Sequence, residues 1–151
     1  MQRPAKRPAK KFAARTAAKA VERERTLAQR VAAAPQLCTP IESRKLVNAW
    51  LASIGRTMAG RALKRRVADA PKVAALLAGI AEGSPFLWEL ATAEPERLLA
   101  LLDADPDVHL PAILSKTARA VVATKSEAGA MRLLRRMKAE GALLIALADI
   151  G

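Results

Sequence analysis

Residues 84–106, SPFLWELATAEPERLLALLDADP, contain three prolines, each directly preceded by a polar side chain. Proline fits the first turn of a helix because its missing N–H would be unpaired there anyway. Leucine and alanine predominate between the prolines and favour helix. The stretch therefore predicts short helices over about 85–92 and 95–103, and the start of another at 106.

Further prolines extend this pattern in both directions along the chain. Pro40 lies between Thr39 and Glu42, which have the spacing of a capping box, where two side chains satisfy two free backbone N–H groups. Gly55 and Gly60 weaken the middle of the helix that begins there and predict a bend or break. In chain order, the predicted helices cover residues 40–68, 71–81, 85–92, 95–103, 106–123 and 126–149.

The last predicted helix, 126–149, follows a second capping-box pattern, formed by Thr124 and Glu127. Helical spacing predicts one apolar face and one opposite polar face. The apolar face contains Met131, Leu134, Met137, Gly141, Leu144, Ile145 and Ala148. The polar face contains Arg132, Arg135, Arg136 and Glu140.

The end of this helix, residues 142–148, is apolar on all sides. A helix of this kind must be buried on all sides. Because the sequence stops three residues later, we expect its cover to come from outside the chain. The chain would then be a piece of a larger protein, or would self-associate through Leu143, Leu144, Ile145 and Leu147.

The composition also favours an all-α fold, since 52% of the residues are hydrophobic, mostly Ala and Leu, with no Tyr. Strands would favour more β-branched and aromatic residues. Cys38 and His109 are the single cysteine and histidine, which excludes an internal disulfide and a His/Cys zinc site. The uncharged run 141–148 is shorter than the roughly 20 residues that span a bilayer. We expect a cytoplasmic protein without a membrane segment.

Residues 1–30 carry 10 Lys and Arg against 2 Glu, so they hold +8 of the net charge of +12. Residues 1–11 repeat a Pro-Ala-Lys theme, in which charge repulsion and proline predict disorder. The rest is an Ala-rich weak helix anchored only near Leu27 and Val31. We therefore divide the chain into a basic tail, 1–30, and a helical segment, 31–151.

The charge of the tail suits weak, non-specific binding to nucleic acid through phosphates. A tail without acids over residues 1–21 is also typical of a transit peptide, although the helical body argues against one. A third interpretation is an upstream stretch with no selected role. Nucleic-acid binding by the tail is the competing function for the whole chain.

Asp103, Asp105 and Asp107 form an acidic cluster that could bind Ca²⁺ or Mg²⁺. The glycine and glutamate of a calcium loop are replaced by Val108 and Leu114, so we favour a helix cap at Asp105. His109, in the first turn of the same helix, is expected to be a partly buried structural side chain. No catalytic, cofactor-binding or metal-binding residue is predicted.

Arg132, Arg135 and Arg136 make a basic helix face that could contact phosphate or a partner protein. A solvated helix face is the other interpretation, because such charge runs usually face water. The glycines are scattered singly, so the sequence contains no glycine-rich phosphate-binding loop.

From about Val31 onward the sequence resembles the N-terminal end of the alphaproteobacterial bifunctional glutamine synthetase adenylyltransferases. The segments that carry the resemblance are residues 33–37, 76–82, 84–87, 98–102, 105–107, 109–110, 131–140 and 143–151. The match covers about four fifths of the chain, and its segments keep a consistent order and spacing.

The resemblance implies an enzyme that transfers AMP from ATP to glutamine synthetase and removes it by phosphorolysis, under a PII-type signal protein. ATP and Mg²⁺ are implied for the full-length family, but no cofactor is expected in this chain. The paired aspartates and glycine-rich turn of both nucleotidyltransferase domains lie beyond the matched region. We therefore expect a truncated helical fragment that is inactive alone.

Overall fold

The computed structural model describes residues 25–151, which form eight helices and no strand. The helices are α1 (Leu27–Arg30), α2 (Pro40–Ser53), α3 (Met58–Asp69), α4 (Pro71–Gly83), α5 (Pro85–Ala93), α6 (Pro95–Asp103), α7 (Pro106–Ala123) and α8 (Glu127–Ile150). The predicted all-α class is confirmed. Five helices begin with proline, as the prolines of the sequence predict.

The predicted break between residues 40 and 68 is present, because α2 ends at Ser53 and α3 begins at Met58. The Thr57 hydroxyl caps α3 by accepting a hydrogen bond from the Gly60 N–H at 2.9 Å. A Cβ placed on Gly60 would lie 2.6 Å from the carbonyl carbon of Ile54. Gly60 is therefore required where the chain turns back closely on the end of α2.

Helix α4 lies at the centre of the body, packed against α2, α3 and α5. Helix α6 packs against α1, α3 and α5, and α8 reaches α1 and α5. Two tryptophans, Trp50 on α2 and Trp88 on α5, meet edge to face with ring centroids 5.6 Å apart. The fully buried large side chains are Leu27, Leu63, Val73, Leu76, Leu77, Ile80, Leu98, Leu101, Leu102, Leu143, Leu144 and Leu147.

The expectation that the end of the last helix lacks a cover is wrong. Leu143, Leu144 and Leu147 are at most 1% exposed and belong to the same core as the leucines of α4 and α6. Only Ile145 of the four is largely exposed, at 46%. The short preceding helices surround this end sufficiently, so the predicted self-association through these leucines loses its physical basis.

The predicted faces of α8 are also corrected. Met131, Leu134, Ile145 and Ala148, placed on the buried face, are exposed. The inward stripe instead contains Leu133, Met137, Glu140, Leu144 and Leu147, each three or four residues from the next. The uniformly apolar end gave no clue to which side faces the core, and the neighbouring helices decide it.

Helix α1 is attached to the body by backbone hydrogen bonds. The Leu27 N–H donates to the Ala104 carbonyl at 2.7 Å, and the N–H groups of Ala32 and Ala33 donate to the Gly151 oxygen at 2.5 and 2.7 Å. Leu27 and Val31 are buried, so the predicted anchor between them is confirmed. Residues 1–24 of the predicted basic tail lie outside the described residues.

Both predicted capping boxes are replaced by other contacts. The Thr39 side chain makes no capping hydrogen bond, and Ser126 caps α8 in place of Thr124 by accepting from the Gly129 N–H. At the start of α2, the carboxylate of Glu82 from α4 accepts hydrogen bonds from the N–H groups of Cys38 and Thr39. The Thr39 N–H, which Glu42 was expected to reach, is therefore already occupied.

The Glu82 clamp joins the end of α4 to the start of α2. Its carboxylate also accepts a 2.6 Å hydrogen bond from the Ser43 hydroxyl. The Ser43 bond, followed by those from Cys38 and Thr39, lowers the pKa of Glu82 below its usual value, against the opposing effect of desolvation. Hydrogen bonds that favour the charged carboxylate have this direction of effect.

We expect Glu82→Gln to lower the thermal unfolding midpoint at neutral pH, with a difference from wild type that shrinks in acid. The folded-state pKa is depressed, so the charged clamp stabilises the fold above the unfolded pKa and loses that effect as the pH falls through the folded pKa. Thermal melts from pH 7 to strong acid measure the difference. Glu89→Gln, a matched change at an exposed residue, serves as control. A difference that grows in acid would contradict the clamp.

Within residues 25–151, no helix combines the length and apolar character needed to cross a bilayer.

Candidate functional site

The three acids of the predicted cluster are each engaged by an arginine. Arg30 donates to Asp105 at 2.8 Å and to Asp107 at 3.0 Å, and Arg66 pairs with Asp103. Asp105 also caps α7 by accepting from the Asp107 N–H at 2.9 Å. The interpretation of Asp105 as a helix cap is confirmed, and the arginines show that the cluster also attaches α1 and α3 to α6 and α7.

His109 is half-buried, as predicted, and its partner is Glu140. The His109 Nε2 lies 3.1 Å from Glu140 Oε1, and the two side chains are 30% and 26% exposed. They come from α7 and α8, 31 positions apart in the sequence. No local spacing could have indicated this pair, because it forms only when the two helices fold back on each other.

Helices α7 and α8 form an antiparallel hairpin, and a groove of about 320 Å³ runs between them. The buried Ile113 and the half-buried Leu133 and Met137 form its floor, whereas Lys116 and Arg136 are exposed. The lining residues are His109, Ala112, Ile113, Lys116, Thr117, Ala120, Leu133, Arg136, Met137 and Glu140.

Only one of the three arginines predicted as contact residues lines this groove. Arg136 does so, together with Lys116 of α7. Arg132 precedes Arg136 by about one helical turn and lies on the same side, whereas Arg135 is rotated away by about 100°. All three are exposed. The structure therefore joins Arg136 to Lys116 and His109, which the sequence analysis did not associate, and leaves Arg135 outside the groove.

Lys116 and Arg136 of the groove, and the nearby Arg132 and Arg135, have no carboxylate partner in the part of the chain that the structure describes. Between residues 25 and 151, the carboxylates lie beyond 4.0 Å from the charged nitrogens of Lys116, Arg132, Arg135 and Arg136. Glu140, the acid of the groove, contacts His109 instead. The groove thus carries an excess of positive charge above an apolar floor, an arrangement that can hold an anionic group attached to an apolar body.

A second basic surface lies on α3. Arg61, Lys64 and Arg65, with Ala68, line an open cavity of about 500 Å³. This surface has no apolar floor comparable to that of the hairpin groove.

Comparison with known proteins identifies relatives for most of the chain. No protein-family model matches it, and no solved structure matches it. The bifunctional glutamine synthetase adenylyltransferase/adenylyl-removing enzyme of Rhodopseudomonas palustris strain BisB5 is 48% identical over 126 residues, which cover 83% of this chain and 12% of that protein. The protein of the same description from Bradyrhizobium diazoefficiens is 44% identical over 126 residues, with the same coverage of both chains.

A shorter match is closer in sequence. The protein of this description from Xanthobacter autotrophicus is 52% identical over 90 residues, covering 60% of this chain and 9% of that protein. The chain thus spans about one eighth of the length of the Rhodopseudomonas palustris and Bradyrhizobium diazoefficiens relatives. The family predicted from the sequence is confirmed: this chain is a relative of one segment of the alphaproteobacterial bifunctional glutamine synthetase adenylyltransferases/adenylyl-removing enzymes.

Proposed function

We propose that this chain is a non-catalytic helical segment of the N-terminal region of an adenylyltransferase/adenylyl-removing enzyme, and that it supports and docks the segments that carry the chemistry. The observation that carries the proposal is the 48% identity over 126 residues to 12% of such an enzyme. The activity in which the segment takes part is transfer of AMP from ATP to glutamine synthetase and its phosphorolytic removal. The proposal includes the cytoplasmic location expected from the sequence.

The structural use of the acidic residues supports a non-catalytic role. Asp103, Asp105 and Asp107 bind Arg66 and Arg30, and Asp105 caps α7. Carboxylates committed to ion pairs and a helix cap do not fit the paired oxygen ligands that Mg²⁺ and nucleotide phosphates require. We therefore propose that ATP and Mg²⁺ bind outside this chain. Recognition of glutamine synthetase and of the PII-type protein is likewise assigned to the complete enzyme, which is larger than this chain.

A chimeric enzyme tests the proposal. The matching segment of the Rhodopseudomonas palustris enzyme is exchanged for the 126 matching residues of this chain, and transfer and removal of AMP are both assayed. Both activities should persist in the chimera, because the exchanged segment supplies folding and docking surfaces. A second chimera carrying Leu147→Glu should lose them, since Leu147 is fully buried in the segment.

The isolated chain provides the complementary test. Incubated with adenylylated glutamine synthetase, phosphate and Mg²⁺, it should release no ADP. Release of ADP that disappears in Asp103→Ala or Asp105→Ala would contradict the non-catalytic role and make the acidic cluster a site.

Binding of nucleic acid through residues 1–30 stays a prediction, since most of that segment lies outside the described residues. Removal of these residues, followed by a salt-dependent DNA titration, distinguishes it from the docking role.

A further inference from the structure

We propose that the groove between α7 and α8 binds an acidic amphipathic helix, whose apolar face covers the floor and whose carboxylates contact Lys116, Arg132 and Arg136. This groove would be one of the docking surfaces of the proposed function, so the inference rests on that function. The helix is defined by its chemistry: one apolar stripe with glutamate or aspartate along its edge.

The shape of the hairpin suits a third helix. Two antiparallel helices leave a groove along their contact line, and a further helix packs into such a groove at an axial distance of about 8–10 Å. The small side chains of Ala112, Thr117 and Ala120 on α7 leave room for this approach. Of the 18 residues of α7, only Pro106 and Ile113 are buried within the described structure. Much of this helix is therefore open to a partner.

The floor of the groove provides apolar contact. Ile113, Leu133 and Met137 line it, and the latter two are half-buried. An unbranched methionine side chain adapts to different partner surfaces at small cost. These residues favour a partner with aliphatic side chains along one helical stripe.

The charges of the groove indicate that the partner helix also carries acidic side chains. Lys116 of α7 and Arg136 of α8 both line it, and Arg132 lies one helical turn before Arg136 on the same side of α8. Glu140 Oε1 lies 3.1 Å from His109 Nε2, so this carboxylate already has a partner within the hairpin. Because arginines four positions apart lie about 6 Å apart along a helix, carboxylates at i and i+4 of a partner helix can contact both.

A protein helix fits this groove better than a nucleic acid does. Phosphate contacts need cations alone, whereas single-stranded bases also need aromatic surfaces on which to stack. No Phe, Tyr or Trp lines the groove, and its one imidazole, that of His109, is hydrogen-bonded to Glu140. The α3 surface formed by Arg61, Lys64 and Arg65 has the cations without the floor and is the better candidate for simple phosphate contact.

A designed peptide tests the inference with the full chain. The probe is a fluorescently labelled, acetylated peptide of about 18 residues with a Leu/Ala stripe and glutamates at i and i+4 along its edge. Anisotropy titrations should show saturable binding. Arg136→Glu and Lys116→Glu should each weaken it about tenfold or more, because each removes an attraction and introduces a repulsion. Arg135→Glu, the same change in charge on the same helix, should weaken it less than about twofold.

Two further measurements separate the groove from general charge attraction. Ala120→Trp fills the groove without changing the charge and should abolish binding while circular dichroism shows an intact helical fold. A peptide with lysine in place of every glutamate should not bind.

Defined outcomes overturn the inference. These are no saturable binding of the glutamate peptide, equal weakening by Arg135→Glu and Arg136→Glu, or full binding by a folded Ala120→Trp chain. Displacement of the peptide from the wild-type groove by a DNA duplex of about 20 base pairs, lost in Arg136→Glu, would make nucleic acid the occupant. The chimera described above is scored by AMP transfer and removal, so failure of the family role and failure of the groove are distinguishable.

Discussion

Leu147→Glu is expected to unfold the helical body. Leu147 is fully buried in the core together with Leu143 and Leu144. Removing a buried leucine side chain to alanine alone costs about 2–5 kcal/mol, and glutamate adds the cost of an unpaired buried charge or of its neutralisation. Since whole domains are stable by about 5–15 kcal/mol, this change removes most or all of the stability. Urea unfolding followed by circular dichroism measures the loss.

Ile145→Glu is the matched control for this prediction. Ile145 lies two residues away on the same helix and is 46% exposed, so a glutamate there can remain in water. Its unfolding midpoint should stay close to that of wild type, because substitutions at exposed helix positions usually change stability by about 0.5 kcal/mol or less. Cooperative unfolding of Leu147→Glu at the wild-type midpoint would show that the end of α8 is not part of the core.

Gly60→Ala is expected to destabilise the protein by about 1–3 kcal/mol, the usual cost of forcing an extra group into a closely packed site. The new Cβ would lie 2.6 Å from the Ile54 carbonyl carbon and even closer to its oxygen. Helix propensity alone predicts the opposite sign, since alanine is favoured over glycine inside a helix by about 1 kcal/mol. The sign of the measured change therefore decides between propensity and close approach.

Gly83→Ala provides the control, because a Cβ at Gly83 has no neighbouring atom within 4 Å. This change should leave the unfolding free energy unchanged or raise it slightly, as expected where the new residue meets no steric conflict. If Gly60→Ala were as stable as Gly83→Ala, the turn between α2 and α3 would have to be able to move away from the added methyl group.

The helix boundaries could be predicted well because their signals are local. A proline in the first turn and a capping residue before it act within about four residues, and the predicted bounds 95–103 and 106–123 agree with α6 and α7. The break before Gly60 was visible for the same reason. Its cause, the proximity of the Ile54 carbonyl, became visible only in the folded turn.

Contacts between distant residues limited the prediction of caps and faces. Thr39 and Glu42 have capping-box spacing, yet Glu82 from another helix accepts the hydrogen bond from the Thr39 N–H. Along α8, nearly every position near the end is apolar, so periodicity could not distinguish the inward Leu147 from the outward Ile145. Tertiary packing selected one of several local arrangements that the sequence permitted.

In the candidate groove too, local features could be predicted from the sequence, whereas contacts between the helices could not. Arg136 could be identified as a contact residue from a run of basic residues on one helix. Its place beside Lys116 in one groove, and the contact between Glu140 and His109, depend on how the two helices of the hairpin meet. A single sequence contains no record of that register.

The attachment of α1 has a consequence for the order of folding during synthesis. Its partners are the Ala104 carbonyl, the carboxylates of Asp105 and Asp107, and the Gly151 oxygen that binds the backbone after it. A ribosome releases the chain from its N-terminus, so α2, α3 and α4 can assemble while these partners are still being made. Helix α1 therefore emerges before the other seven helices, but it can begin to dock only when Ala104, Asp105 and Asp107 have been made, and its attachment is complete only with Gly151.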